Sequence, residues 1–430
     1  MAPPTTFSPV AAREIYIVKE AVPGTIPSSV GVPWALTSFK PSDKPIWIDD
    51  ESWQGSMGDI YGVYQGPLIA SLDGGGHVFS DTIGYPLYGI FGDYTVSGTA
   101  ASPAGTTSAP VAVGATSLTV ASGGASFTAG MWIWIEDGGS PAANEVVKIG
   151  AGSTSTNVVL DATTPTRFAH LTATPFTNTT APYTHVFAVL NGSVGAAAGA
   201  GPGQPPTYCI TDRQGLANNG ANQYAYVCFS ELVITGNSEK LLDFTFKATC
   251  ASRATAGSAV GFANVSSELA VPSWRTAAGI AGPASGGTQV KYIGEHQVTM
   301  MRAVKPLNTE QGSQQPYVIA RGKQSNTGKI TIMPATDDSS LIAMLGNSQP
   351  QLQFLTSNGL GGANVRSLQV DILLAAYDVD DITDGGELFG YDPSFKAVHT
   401  AASSGGITMT GASGGRGAVK CTLINGVASY

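Results

Sequence analysis

Residues 224–247 read YAYVCFSELVITGNSEKLLDFTFK, and this stretch decides the fold class. Leu242, Phe244 and Phe246 fall at every second position, so they share one face of an extended chain, a period that no helix keeps. Tyr224 to Phe229 and Glu231 to Ile234 are aromatic and β-branched runs of strand length, and Gly236-Asn-Ser-Glu239 supplies a turn between them and the last run. The whole reads as a hairpin-like set of strands.

The same reading extends outward. Arg13 to Glu20 is a first strand with Ile15 and Ile17 on one face, followed by a turn over Val22 to Pro27. Thr184 to Leu190, Thr207 to Ile210, His296 to Met300, Leu368 to Leu374 and Ala418 to Ile424 read as further strands. Residues 31–56 place Trp34, Trp47 and Trp53 among prolines and aspartates without helical period, and read as a long arm. Three tryptophans in an arm need a cover, either their own domain or a neighbouring molecule.

One pattern occurs twice, over 55–92 and 312–346: a Gly-Ser turn, an aromatic-led strand, an acidic cap, a short apolar helix and a closing glycine. The first copy runs through Tyr61 to Tyr64, Leu68 to Leu72, Ser80-Asp81, Ile83, Leu87, Ile90 and Phe91 to Gly92. The second runs through Tyr317 to Ile319, Ile330 to Met333, Thr336 to Asp338, Leu341, Ile342 and Leu345 to Gly346. In the first copy Pro86 removes a donor, which predicts a helix start near Tyr85 with proline in the first turn. A duplicated domain is the simplest reading.

Residues 100–176 differ in character, being dominated by Ala, Ser, Thr and Gly. Ser117 to Val120, Met131 to Ile135, Glu145 to Ile149 and Val158 to Leu160 read as strands of a small antiparallel barrel or sandwich. Ile133 and Ile135 alternate with Trp132 and Trp134, which therefore share the opposite face. The expected organisation is a mainly β chain: 1–99 with 177–250 as a first domain, 100–176 as a small inserted all-β domain facing outward, 251–289 as a linker, and 290–430 as a second domain like the first.

Composition narrows the class. Only 12% of the 430 residues are charged, against an average of about 25%, so much of the surface is expected to lie against other subunits. The 54 glycines fit many turns between many short strands. A net charge of −9 opposes adhesion to nucleic-acid phosphate, which needs clustered Lys and Arg. Cys209, Cys228, Cys250 and Cys421 lack CxxC spacing; Cys209 and Cys228 face each other if a hairpin joins them, and reduced, buried thiols are expected. No basic-then-apolar leader opens the sequence and no run reaches the length of a membrane span, so assembly in cytoplasm is expected.

Catalytic patterns fail on spacing. Gly411-Ala-Ser-Gly-Gly415 matches GxSxG, but no Asp or His follows Ser413 in the order a hydrolase needs, and the glycines suit a turn. Asp378 to Asp384, with Glu387 and Asp392, places apolar residues at ligand positions of a calcium loop, so a solvated acidic loop is expected. His77, His170, His185, His296 and His399 show no HExxH or paired spacing, and Glu295-His296 reads as a strand pair. No phosphate-cradling GxxxxGK[ST] loop is present. No catalytic, cofactor-binding or metal-binding residue is assigned, and the chain is expected not to be an enzyme.

Lys19 to Pro27 resembles the opening of the major tail (tail tube) proteins of long-tailed, non-contractile bacteriophages. Tyr226 to Asn237, followed by Leu241 to Lys247, is similar to that family's tyrosine-led hairpin, and Arg321-Gly-Lys with Gly328 to Ile332 and the capped segment Asp337 to Gly346 resembles its second half. The resemblance covers nearly all the chain outside 100–176; Pro86 and the Gly-rich stretch 385–417 depart from it. It implies a β-sandwich with one flanking helix, whose subunits join edge to edge into rings that stack into a conduit for DNA. Duplicated members form threefold rings of sixfold appearance, so three copies are favoured over six. The implied partners are the chain itself, a tape-measure protein in the bore, and tail terminator and distal tail proteins. DNA passes an acidic lumen without specific binding, and the implied location is the virion tail. Two alternatives stand beside this: a β-rich phage surface protein that binds or degrades host glycan, with Trp132 and Trp134 as the suggestive patch, and a capsid decoration protein.

Overall fold

A computed structural model describes residues 13–28, 31–52, 60–98, 104–136, 143–178, 183–190, 204–214, 221–255, 270–280, 288–290, 293–310, 314–332, 345–346, 348–359, 365–384, 389–399, 417–427 and 429–430. The chain is mainly β, with several antiparallel sheets and one α-helix among the described residues.

Eight strands form the backbone of the larger sheet: β1 (Ser38–Asp50), β2 (Gly62–His77), β3 (Ala221–Asn237), β4 (Asp243–Cys250), β5 (Ile293–Leu307), β6 (Val318–Ile332), β7 (Leu374–Asp384) and β8 (Phe389–Val398). Helix α1 (Gly84–Phe91) follows β2. Their spatial order is 1-2-4-3-5-6-8-7, every neighbour antiparallel. The run thus divides into two sets of four with the same internal order, 1-2-4-3 and 5-6-8-7, joined where β3 meets β5. In each set a hairpin is followed in sequence by a second hairpin whose later strand packs against the first.

The set of four is not the whole sheet. Arg13–Lys19 pairs with Tyr208–Gln214, which pairs with the first part of β3. Strand β3 is 17 residues long and shifts register within it, so its first part serves that branch while its second part serves β4 and β5. At the changeover Tyr226 takes a left-handed φ of 57°, unusual for a side chain of that size, and its N–H donates to the buried Glu20 carboxylate at 2.7 Å.

A second, seven-stranded sheet covers the first. Its order is Thr288–Val290, Thr276–Ile280, Leu352–Ser357, Ser367–Ile372, Val419–Asn425, Tyr183–Val189 and Gly92–Ser97. The apolar faces of both sheets and α1 meet in one core, in which Leu72, Phe91, Phe229 and Phe246 belong to the same cluster as Met300, Phe354, Val370 and Phe395. The two expected tube domains therefore share both sheets and one core. The expected linker 251–289 is corrected in part: Thr276–Ile280 is a strand, its small residues letting it pack beside Leu352–Ser357 with Ala278 buried.

Helix α1 starts and stops close to the sequence reading, with Pro86 in its first turn and Gly92, at φ 84°, closing it. The acidic cap is corrected, because the N-cap is Ile83 and no side chain caps it. The helix expected in the second copy would fall mostly on residues 333–344, which lie outside the described residues. Neither sheet closes into a barrel among the described residues; both end in edge strands.

The inserted segment has a core of its own, built from Phe127, Ile133, Ile135, Val147 and Phe176 among others. A four-stranded and a two-stranded sheet surround it. Ile133 and Ile135 are fully buried while Trp132 is exposed, as the alternation required. The segment leaves and rejoins between Gly92–Ser97 and Tyr183–Val189, which are paired to each other with Ser97 opposite Thr184.

Candidate assembly surface

The three tryptophans of the arm separate. Trp34 is buried and stacks on Phe246 at 4.9 Å and Phe244 at 6.0 Å, so it belongs to the chain's own core. Trp47 stands 58% exposed on β1. Trp53 lies outside the described residues.

The position of Trp47 follows from how far β1 and β2 outrun their neighbours. Strand β2 pairs with β4 only over Ala70–His77, whereas β1 and β2 pair with each other from Ser38 opposite Gly75 to Asp50 opposite Gly62. The outer half of this hairpin is thus a two-stranded ribbon, steadied at its base by the Leu68 N–H donating to the Gln314 carbonyl at 2.9 Å and the Gln314 side-chain amide donating to the Gln65 carbonyl at 3.1 Å.

Both faces of that ribbon are apolar and open. Ile48 lies opposite Tyr64, and Trp47 opposite Gln65 with Val63 two residues along the same face. Ile46, Trp47, Ile48, Ile60, Val63 and Tyr64 are all exposed. A bare two-stranded ribbon is marginal in water, and contiguous exposed apolar side chains mark a contact surface.

Its outer edge reinforces this. Among the described residues strand β1 pairs with no strand but β2, so its other side is a sheet edge. Pro41 and Pro45 remove donors there, and Lys40 and Lys44 add charge, the devices that discourage strand addition. From Ile46 to Ile48 neither device is present. The opposite end of the eight-strand run is β7, which among the described residues pairs with no strand but β8.

The other residues singled out from sequence disperse. Asp378 to Asp384 are corrected from an acidic loop to strand β7; Asp378 binds Lys396 at 2.9 Å and accepts from the Ser394 hydroxyl at 2.7 Å, so its own charge is met across the hairpin. Asp392 is paired with Lys329 at 2.9 Å and accepts from Thr331 at 2.6 Å. No metal-holding group of His, Cys, Asp or Glu occurs among the described residues. Ser413 and its glycines lie outside the described residues.

The histidines serve separate local partners. His77 meets Asp243 at 2.6 Å, His170 meets the buried Glu145 at 2.7 Å, His185 lies between Tyr94 and Asn425, and His296 stacks on Phe354 at 4.9 Å. All four cysteines are free and buried, and burial pushes the thiols of Cys209 and Cys228 up to about 12 and about 11. Glu295 and His296 both sit in β5.

Sequence reasoning missed Ile46, Ile48, Val63 and Tyr64 as a surface. The available signal was the run Ile46-Trp-Ile48 just beyond two prolines, facing a second aromatic-led strand. No helix among the described residues is long and apolar enough to cross a membrane. No protein-family model matches the chain, and no curated protein sequence matches it.

Proposed function

We propose that the protein is the tail tube subunit of a long-tailed, non-contractile bacteriophage, a structural component that polymerises into stacked rings and conducts DNA. The observation that carries this reading is the repeated strand order, 1-2-4-3 then 5-6-8-7. At the internal junction β3 runs antiparallel beside β5. Because each set holds four alternating strands, β7 and β1 have the same relative directions as β3 and β5. The β3–β5 junction within the chain is therefore a template for a β7–β1 junction between chains, and repeating it head to tail pairs both end strands of the eight-strand run.

Two matching sets per chain favour three copies per ring, with sixfold appearance. The arm at β1 and β2 then has a neighbour on which to bury Trp47, Ile48 and Tyr64. A net charge of −9 suits a bore through which DNA slides without adhering. Tape-measure, terminator and distal tail proteins are the implied partners, and the virion tail the implied location.

Negative-stain electron microscopy of the purified protein, with rotational averaging of end-on views, tests the proposal. Hollow tubes with threefold density are the expected result. Strict sixfold density keeps the tube and removes the trimer, whereas persistent monomers at all concentrations, or closed shells, overturn the reading.

A further inference from the structure

Beside the end of α1, strands β5, β6 and β8 border a cavity of about 570 Å³ lined by Arg302, Arg321, Lys323, Gln324, Asn326 and His399 among others. Its charge is unbalanced. Arg302 and Arg321 are buried, and among the described residues every acceptor they meet is neutral: the carbonyls of Ile90, Phe91, Leu190 and Gly322 for Arg302, and Gln204, the Pro206 carbonyl and the Cys228 sulfur for Arg321. The Glu20 carboxylate feels Arg321 only through space, its oxygens being taken by the Tyr226 and Gly24 N–H groups and the Thr207 hydroxyl. Burial, and then the charge of Arg321, pull Arg302 down to about 10.

The cavity also holds amides without partners. Neither Nε2 nor Oε1 of Gln324 makes a hydrogen bond among the described residues, nor does Oδ1 of Asn326, a residue only 6% exposed. Buried polar atoms are ordinarily satisfied, and each left open destabilises the folded chain. Gln324 Nε2 is thus an open donor, and a half-turn of the Asn326 amide puts its N–H group where Oδ1 now stands open. Of the stretches that adjoin the lining residues in sequence, 191–203 contains no ionisable residue and 400–416 contains only Arg416.

We propose that this cavity is an oxyanion site, which takes a phosphate or carboxylate group against Arg321, Lys323 and the amides of Gln324 and Asn326, with Arg302 behind. An anion supplies what the site lacks, a charge for two buried guanidinium groups and acceptors for unpaired amide donors. Two sources share this chemistry: a free small anion, or an acidic side chain of a second copy of the chain. The proposal does not depend on the tube reading.

The test compares wild type with Lys323→Ala, Gln324→Leu and Gln324→Glu, all as full-length protein. Thermal unfolding and calorimetric titration are run with inorganic phosphate against chloride at matched ionic strength, and self-association is followed by sedimentation velocity. If the anion is free, phosphate raises the wild-type melting temperature saturably, and its affinity falls at least tenfold in Lys323→Ala and Gln324→Leu. If the anion comes from a second copy, phosphate competes with self-association, and the same two variants weaken association at least tenfold. In both cases Gln324→Glu, which places a carboxylate inside the cavity, melts higher than wild type without phosphate and loses the phosphate response. Equal phosphate response and equal association in wild type and all three variants overturn the proposal, as does a Gln324→Glu protein that melts lower than Gln324→Leu.

Discussion

The guanidinium of Arg302, on β5, donates to the carbonyl of Ile90 at 2.7 Å and to that of Phe91 at 3.0 Å, capping α1 from the other half of the chain. The last carbonyls of a helix have no partner within it and carry its negative dipole end, so a buried cation satisfies both needs. It also fastens the second four-strand set to the helix of the first.

Arg302→Met should therefore lower stability by about 2–4 kcal/mol, because it leaves several buried carbonyls open. Arg302→Lys should recover little, since a point charge on a flexible stem cannot reach acceptors on α1, Leu190 and Gly322 together. Urea titration of the three proteins decides this; equal midpoints would remove the capping role.

His296 sets an acid limb. Burial lowers its pKa from 6.5 to about 4 in the folded chain. Between those values the unfolded chain binds a proton that the folded chain refuses, so the contribution is complete above pH 6.5 and is lost as pH falls toward 4. The loss should total about 3 kcal/mol, at about 1.4 kcal/mol per pH unit. It is read as the difference between wild type and His296→Phe in urea titrations at pH 7 and pH 4.

Gly236 faces His296 directly across the β3–β5 junction, and a Cβ at Gly236 would run into the imidazole ring. Gly236→Ala should cost about 1–3 kcal/mol, and His296→Ala in the same chain should restore part of it. Additive effects in this double-mutant cycle would show that the ring is not what excludes a side chain there.

Trp47→Asp and Tyr64→Asp should leave the isolated subunit's stability within about 0.5 kcal/mol of wild type, because both side chains are exposed on the ribbon. Each should nevertheless abolish rings and tubes. Melting curves measure the first effect and sedimentation with electron microscopy the second; tubes of normal yield from Trp47→Asp would dismiss the arm as an assembly surface.

The inserted segment should be removable. Ser97 and Thr184 are opposite each other, so replacing 98–183 by an Asn-Gly turn joins two strands already paired. Its core is separate from the main one. The shortened protein should melt cooperatively and still assemble, measured by calorimetry and microscopy.

Much of the local structure was legible. Leu242, Phe244 and Phe246, spaced by two, did come to share a buried face, although only Phe244 and Phe246 lie in β4 itself. Gly92 ended α1 where a left-handed residue was needed. The candidate surface was only half legible: Trp34 and Trp47 looked alike in one proline-rich arm, yet one is core and the other is open. Asp378 read as loop because its charge was visible and Lys396, across the hairpin, was not.

The alternation within strands, the short helix, the distinct inserted segment and the scarcity of charge were all readable from residue order, because each depends on composition or on side chains a few positions apart. Folding in three dimensions was needed to show that strands of both halves share two sheets and one core, that β1 and β7 end the eight-strand run, and that Arg302 and Arg321 bond no carboxylate among the described residues. Strand pairing is made by backbone groups that every residue carries, so the identity of a partner a hundred residues away is written in no local pattern.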